Sequence, residues 1–109
     1  MWMFTKDGFF SVVEHRGDDT KLIVRARDRE DLETITELFS VETDFKVLHT
    51  PDADYEWRLV IDRRDWAKYC KVSAWEIDYD NFKNAIKRQD PERAHLYMNV
   101  WAAMRELQQ

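Results

Sequence analysis

With 109 residues, 44% of them hydrophobic and 14% aromatic, the chain has the length of one domain and material for a core, which excludes a disordered polymer. Its 17 basic and 22 acidic side chains leave a net charge of −5, poorly suited to gripping a nucleic-acid backbone over a long track. Cys70 is the single cysteine, so an internal disulfide is excluded and a reducing compartment is the simpler expectation.

No stretch approaches the roughly 20 apolar residues of a membrane span. The opening Met1-Trp2-Met3-Phe4 runs at once into Lys6-Asp7-Gly8, too soon for a signal sequence. These features predict a soluble cytoplasmic protein with no membrane association, organised as a single α+β domain over residues 1–109. The acidic excess lies in the first half of the chain. It could offer an acidic face to a basic partner.

Trp2–Thr5 is a short apolar run, and Lys6-Asp7-Gly8 supplies a turn in which Gly8 takes positive φ. Phe9–Arg16 resumes with aromatic and β-branched residues, so the pair reads as a hairpin. Gly17-Asp18-Asp19 turns the chain into a third strand, Lys21–Arg27. There Leu22, Val24 and Ala26 fall on one face, with Ile23, Arg25 and Arg27 on the other. Such alternation predicts one packed and one wet face.

Asp28 is placed to cap a helix whose apolar stripe is Leu32, Ile35, Leu38 and Phe39. Its other side carries Glu30, Glu33 and Glu37. A strand from Asp44 to Thr50, the turn Pro51-Asp52-Ala53-Asp54 and a strand Tyr55–Ile61 follow. In the latter Tyr55, Trp57, Leu59 and Ile61 alternate against Glu56, Arg58 and Val60. Asp62 then reads as the cap of a helix beginning at Arg63, with Trp66, Tyr69, Cys70 and Ile77 on its buried side.

The stretch Trp75–Lys83 is where strand-rich sequence gives way to helix. Trp75 and Phe82 bracket the polar cluster Asp78, Tyr79, Asp80 and Asn81. It reads as a joint that fastens the C-terminal helices through buried rings. Phe82, Ala85 and Ile86 form a short helical segment. Gln89-Asp90-Pro91 both breaks and restarts the chain, since Asp caps and Pro suits a first helical turn. The last helix runs from Pro91 to about Leu107, with Tyr97, Val100, Trp101, Met104 and Leu107 as its apolar stripe.

The predicted fold class is therefore α+β: an antiparallel sheet of about five strands with helices packed on one face. The portion strand-helix-strand-strand-helix fits a ferredoxin-like arrangement.

Glycine-rich phosphate loops, serine nucleophile elbows and Cys or His pairs at metal spacing are all missing from the sequence. No catalytic residue, metal ligand or cofactor is assigned. His15, His49 and His95 are scattered, and Cys70 on an apolar stripe reads as an inert thiol. Three sets of residues are candidates for binding. Arg25, Arg27 and Arg58 could share a sheet face and hold a carboxylate or phosphate, or else pair with Glu14 or Glu56. With Phe9 or Trp57 on that face it would resemble an RNA-stacking platform, which the alternation of Trp57 away from Arg58 and the net charge disfavour. Asp54, Tyr55, Asp78, Tyr79, Asn81, Lys83 and His95 are polar groups that the fold could gather, as a ligand pocket or as a network satisfying helix ends. Glu30, Glu33 and Glu37 form an acidic ridge, either a solvated face or the site of a basic protein partner.

The opening Met1-Trp2-Met3-Phe4-Thr5 with Gly8–Val13, the run Val24–Arg27, Asp54-Tyr55 with Arg58, Ile77–Lys83, and Arg93–Tyr97 with Val100-Trp101 together resemble a family of short uncharacterised bacterial proteins. The resemblance spans nearly the whole chain. It implies no activity and so no catalytic residue. Similar sequences often carry a glycine before the Asp-Tyr pair, whereas here Asp52-Ala53 stands there.

The expectation is a non-enzymatic protein-interaction or regulatory module, self-association included, with nucleic acid disfavoured. The alternative is a protein that binds, or acts on, a small anionic ligand held by the sheet-face arginines.

Overall fold

A computed structural model describes residues 1–38, 46–80 and 82–108. The chain divides into two compact units, Met1–Glu76 and Ile77–Gln109.

The first unit begins with a hairpin. β1 (Trp2–Thr5) and β2 (Gly8–Glu14) pair antiparallel with Thr5 opposite Gly8. Gly8 has φ +157°, a conformation that side-chain-bearing residues rarely adopt. A Cβ there would also lie 2.4 Å from Cγ of Asp31. Asp31 is buried and accepts a 3.1 Å hydrogen bond from the Phe9 amide. The turn thus demands glycine on two separate grounds.

β3 (Lys21–Ala26), β4 (Val47–His49) and β5 (Trp57–Asp62) complete a five-stranded sheet of order β1-β2-β3-β5-β4, antiparallel at every pairing. Two helices accompany it, α1 (Arg29–Leu38) and α2 (Arg63–Trp75). In the run β3-α1-β4-β5-α2 the first strand sits beside the third and the second lies at the edge. That is the split arrangement the sequence predicts for this portion. Of the expected strand 44–50, Asp44 and Phe45 lie outside the described residues, as does Phe39 of the α1 stripe.

One face of the sheet carries the core. Phe10, Val12, Leu22, Val24, Ala26, Leu59 and Ile61 pack against Leu32 and Ile35 of α1 and Trp66 and Tyr69 of α2. Phe10 meets Trp66 and Tyr69 edge-on, with ring centroids 5.8 and 5.9 Å away. Fully burying each such aliphatic or Phe side chain contributes about 1.5–3 kcal/mol, so this single layer dominates the unit's stability. Both helices therefore lie on the same face, as the alternation predicts.

Three local expectations are corrected. Asp62 stands at the N-cap position of α2 but makes no side-chain capping bond. Its carboxylate instead meets Lys21 Nζ, the residue opposite it in the β3–β5 ladder. Tyr55 does not belong to the strand, which begins at Trp57. Asp54 Oδ1 accepts from the Tyr55 amide at 3.0 Å, and Thr50 Oγ1 donates to the Tyr55 and Glu56 carbonyls. Those bonds hold the turn open for longer and free Tyr55 from the alternation. Ile77, expected on the buried side of α2, lies beyond the helix end and is exposed.

The second unit holds α3 (Lys83–Gln89) and α4 (Pro91–Met104), followed by a 3-10 turn at Arg105–Leu107. Asp90 caps α4, its Oδ1 accepting from the Arg93 amide at 3.0 Å, with Pro91 in the first turn. Ile86 is buried, and the Phe82 ring lies 5.9 Å from Tyr97 in near-parallel stacking. The expectation that rings near the joint would be buried does not hold: Trp75, Phe82 and Trp101 are 83%, 43% and 58% exposed. The polar residues between them bond locally. Asp78 Oδ1 accepts from the Asp80 amide, and Asp80 Oδ1 accepts from Asn84. Both bonds join residues close in sequence, one to the backbone and one to a side chain.

Candidate functional site

The face of the sheet opposite the helices is built from the other half of each alternating strand. Trp2 stands opposite Ser11, Ser11 opposite Arg25, Arg25 opposite Arg58, and Arg58 opposite Leu48. A single transverse row thus crosses all five strands on this face, with two arginines side by side at its centre.

Arg25 leans toward β2. Its Nη2 donates to Ser11 Oγ at 2.7 Å and its Nε to the Ser11 carbonyl at 3.4 Å. Arg27 Nη1 donates to the Asp54 carbonyl at 3.1 Å. The guanidinium carbons of Arg25 and Arg27 lie over the Tyr55 ring, 4.8 and 4.7 Å from its centroid. Arg58 Nη2 is 3.9 Å from Asp54 Oδ1. Its Nε is buried with no acceptor among the described residues. Cation–π stacking accounts for how two of these three positive groups are held together.

Aromatic rings extend the cluster toward β1. Phe9 is 6.2 Å from Tyr55, stacks on Phe4 at 4.5 Å, and lies perpendicular to Trp2 at 6.1 Å. Trp2 itself is 71% exposed. A ring surface and a set of guanidinium donors therefore adjoin on one sheet face. That combination can hold an anion by bidentate hydrogen bonds and a flat group by stacking.

Of the residues predicted for a ligand site, Arg25, Arg27, Arg58, Asp54 and Tyr55 are brought together here. Asp78, Tyr79, Lys83 and His95 belong to the second unit, and Asn81 lies outside the described residues. Tyr79 is fully exposed. Lys83 and His95 line an apolar groove of about 480 Å³ along α3 and α4, with Phe82, Ile86, Met98 and Trp101. Glu30, Glu33 and Glu37 ride on α1, away from its buried Leu32 and Ile35, and Glu33 is engaged by Arg29 at 2.8 Å.

Of the rings on this face, the sequence reading named Phe9 and Tyr55 and missed Trp2 and Phe4. Trp2, Phe4 and Phe9 are spaced for such a set, because a turn pairing Thr5 with Gly8 puts Phe4 opposite Phe9. Tyr55 was the harder case, since simple alternation assigns it to the core side.

The remaining reactive groups are accounted for within the core and the loops. Cys70 is half-buried, its Sγ 3.9 Å from Met3 Sδ, and burial pushes its thiol above the usual range, making it a poor nucleophile at neutral pH. Tyr69 is buried, donates to Asp7 Oδ2 at 2.8 Å and lies 2.9 Å from Thr5 Oγ1; burial raises its phenol well above the ordinary value. His49 stacks on Trp57 at 4.1 Å and bonds Glu56. His15 Nδ1 accepts from the Gly17 amide.

Among the described residues no group of three or more His, Cys, Asp or Glu is arranged to hold a metal ion, and no helix is long and apolar enough to cross a membrane. No protein-family model, no curated protein and no solved structure matches this chain.

Proposed function

We propose that this protein is a binding module that takes an anionic ligand on the arginine-bearing face of its sheet. The observation that carries the reading is the direct opposition of Arg25 and Arg58 in the β3–β5 ladder. Like charges placed opposite one another in a sheet are destabilising. Arg27 adds a third positive charge over the same tyrosine. Among the described residues the nearest carboxylate, Asp54, stands 3.9 Å from Arg58 with its side chain 68% exposed, and such a pair offsets little. An oxyanion seated over Arg25 and Arg58 would relieve the repulsion.

The acidic ridge on α1 supports a protein partner less well. Glu33 is already bonded to Arg29, whereas the sheet-face guanidiniums keep unused donors.

The test is thermal unfolding with phosphate, pyrophosphate and citrate, each against sodium chloride at matched ionic strength. A ligand present at 100 times its Kd adds about 2.7 kcal/mol. The reading expects pyrophosphate or citrate to raise Tm beyond chloride, and expects the increment to vanish in the Arg25→Met, Arg58→Met double variant. An equal increment in that variant would refute it.

A further inference from the structure

The rings beside the arginines narrow the ligand class. Building on the anion-binding reading, we infer that the site takes a nucleoside phosphate, with the phosphate over Arg25 and Arg58 and the base against Trp2.

Position carries the inference. Trp2 lies in the same transverse row as both arginines, with only Ser11 between it and Arg25. Arg25 folds onto that serine, with Nη2 at 2.7 Å from its Oγ. The positive charge is thereby displaced toward β1, to within about one strand spacing of ~4.8 Å from the tryptophan's own strand. Ser11 is small and contributes no bulk between ring and guanidinium.

Trp2 keeps a ring neighbour while staying open. Phe9 lies perpendicular to it at 6.1 Å, and Phe9 is in turn backed by Phe4 at 4.5 Å. A plain carboxylate or phosphate has no use for this ring. A base does, because every base presents a π-face and stacking tolerates all of them.

The net charge of −5 limits the phosphate count. Three arginines on an otherwise acidic chain suit one or two phosphates rather than a long strand. The same chemistry exists in a free nucleotide and in a nucleotide within a short single strand, and the titration separates these sources.

The experiment is calorimetric titration of the full chain with ADP, pyrophosphate, adenosine and a single-stranded RNA hexamer, at two salt concentrations. Wild type is compared with Trp2→Ala and Trp2→Phe; Trp2 is mostly exposed, and unchanged melting temperatures confirm that both variants fold. ADP is expected to bind about tenfold tighter than pyrophosphate, as one stacked base provides. Trp2→Ala should reduce ADP to the pyrophosphate level, and Trp2→Phe should keep most of the affinity.

A hexamer no tighter than ADP supports a free nucleotide as the ligand. A hexamer that binds tighter, with a steeper salt dependence, supports the stacking site but assigns it to a strand. If ADP and pyrophosphate bind equally and Trp2→Ala changes neither, the base inference falls while the anion reading stands. If none of the phosphate ligands binds, both fall.

Discussion

Arg25 and Arg58 stand directly opposite each other across the β3–β5 ladder, two guanidiniums in register on one face of a sheet. Arg25 escapes toward Ser11 and the Tyr55 ring. Among the described residues Arg58 has no such outlet: its best carboxylate is 3.9 Å away, and its Nε has no acceptor. Among the described residues no close partner accounts for a charge at this position, and the consequence for stability can be measured.

Replacing Arg58 by Met keeps an unbranched stem along the sheet and removes the charge. The repulsion lost and the weak Asp54 pair lost are each worth about 0.2–1 kcal/mol and oppose one another. The buried Nε without an acceptor tips the balance toward the variant. Urea unfolding without added oxyanion should therefore give Arg58→Met a midpoint equal to or above wild type. A loss beyond about 1 kcal/mol would mean that Arg58 has a structural partner and that the anion-site argument is misdirected.

Tyr69 yields a pH prediction. Burial raises its phenol pKa above the ordinary value of about 10, so the folded state keeps the proton after the unfolded chain has lost it. A raised folded value means full stability below about pH 10 and a decline as pH rises further. The slope is about 1.4 kcal/mol per pH unit for one proton. Tyr69→Phe lacks this contribution. It should cost about 1–3 kcal/mol at pH 8, because Asp7 and Thr5 each lose a partner. Between pH 8 and 11 its stability should then fall less steeply than that of wild type. Parallel slopes in the two proteins would show that Tyr69 titrates normally.

The elements and the core were legible in the sequence because period-2 and period-3.6 patterns record which side of a strand or helix is packed. Leu22, Val24 and Ala26 against Ile23 and Arg25 told the sheet's two faces apart, and Asp90-Pro91 marked the restart of a helix. The site was half legible. Arg25 lies within β3 and followed directly from the alternation, whereas Arg27 lies one residue past the strand's end and reaches the Tyr55 ring from the turn. Tyr55 did not follow, because Asp54 and Thr50 bond its backbone and take it out of the strand. Side-chain bonds of this local kind also explain the 75–83 stretch. Apolar rings beside polar residues read as a buried network, yet Asp78 and Asp80 direct their oxygens to neighbours in sequence. Pattern alone does not distinguish a polar group that satisfies a partner element from one that satisfies its own turn.

Asp90 tests the second unit. Its Oδ1 accepts from the Arg93 amide, satisfying one of the amides at the start of α4 that lack a partner within the helix. Asp90→Ala should cost about 0.5–2 kcal/mol, and Asp90→Asn much less, since asparagine caps nearly as well. Far-ultraviolet circular dichroism with hydrogen exchange at Glu92–Ala94 reads the effect. Unchanged exchange in the alanine variant would show that the cap contributes nothing.

The two glycines make a matched pair of controls. Gly8 sits at φ +157°, and a Cβ there would approach Asp31 Cγ to 2.4 Å. The strained backbone alone costs about 1–3 kcal/mol. Asp31 has nowhere near to yield, since it is buried and bonded to the Phe9 amide. Gly17 has an ordinary backbone, and a Cβ would meet only the His15 ring, at 3.4 Å, on the surface. Gly17→Ala should thus stay within about 0.5 kcal/mol of wild type. Gly8→Ala should lower the urea midpoint by the equivalent of at least about 2 kcal/mol. It should also disturb the outer face, because Phe9 follows directly and supports both Trp2 and Tyr55. Shifts of the Trp2 indole resonance in the still-folded variant report that coupling. A Gly8→Ala protein as stable as wild type, with the indole unmoved, would show that the hairpin tolerates a side chain at its turn and that Asp31 does not brace it.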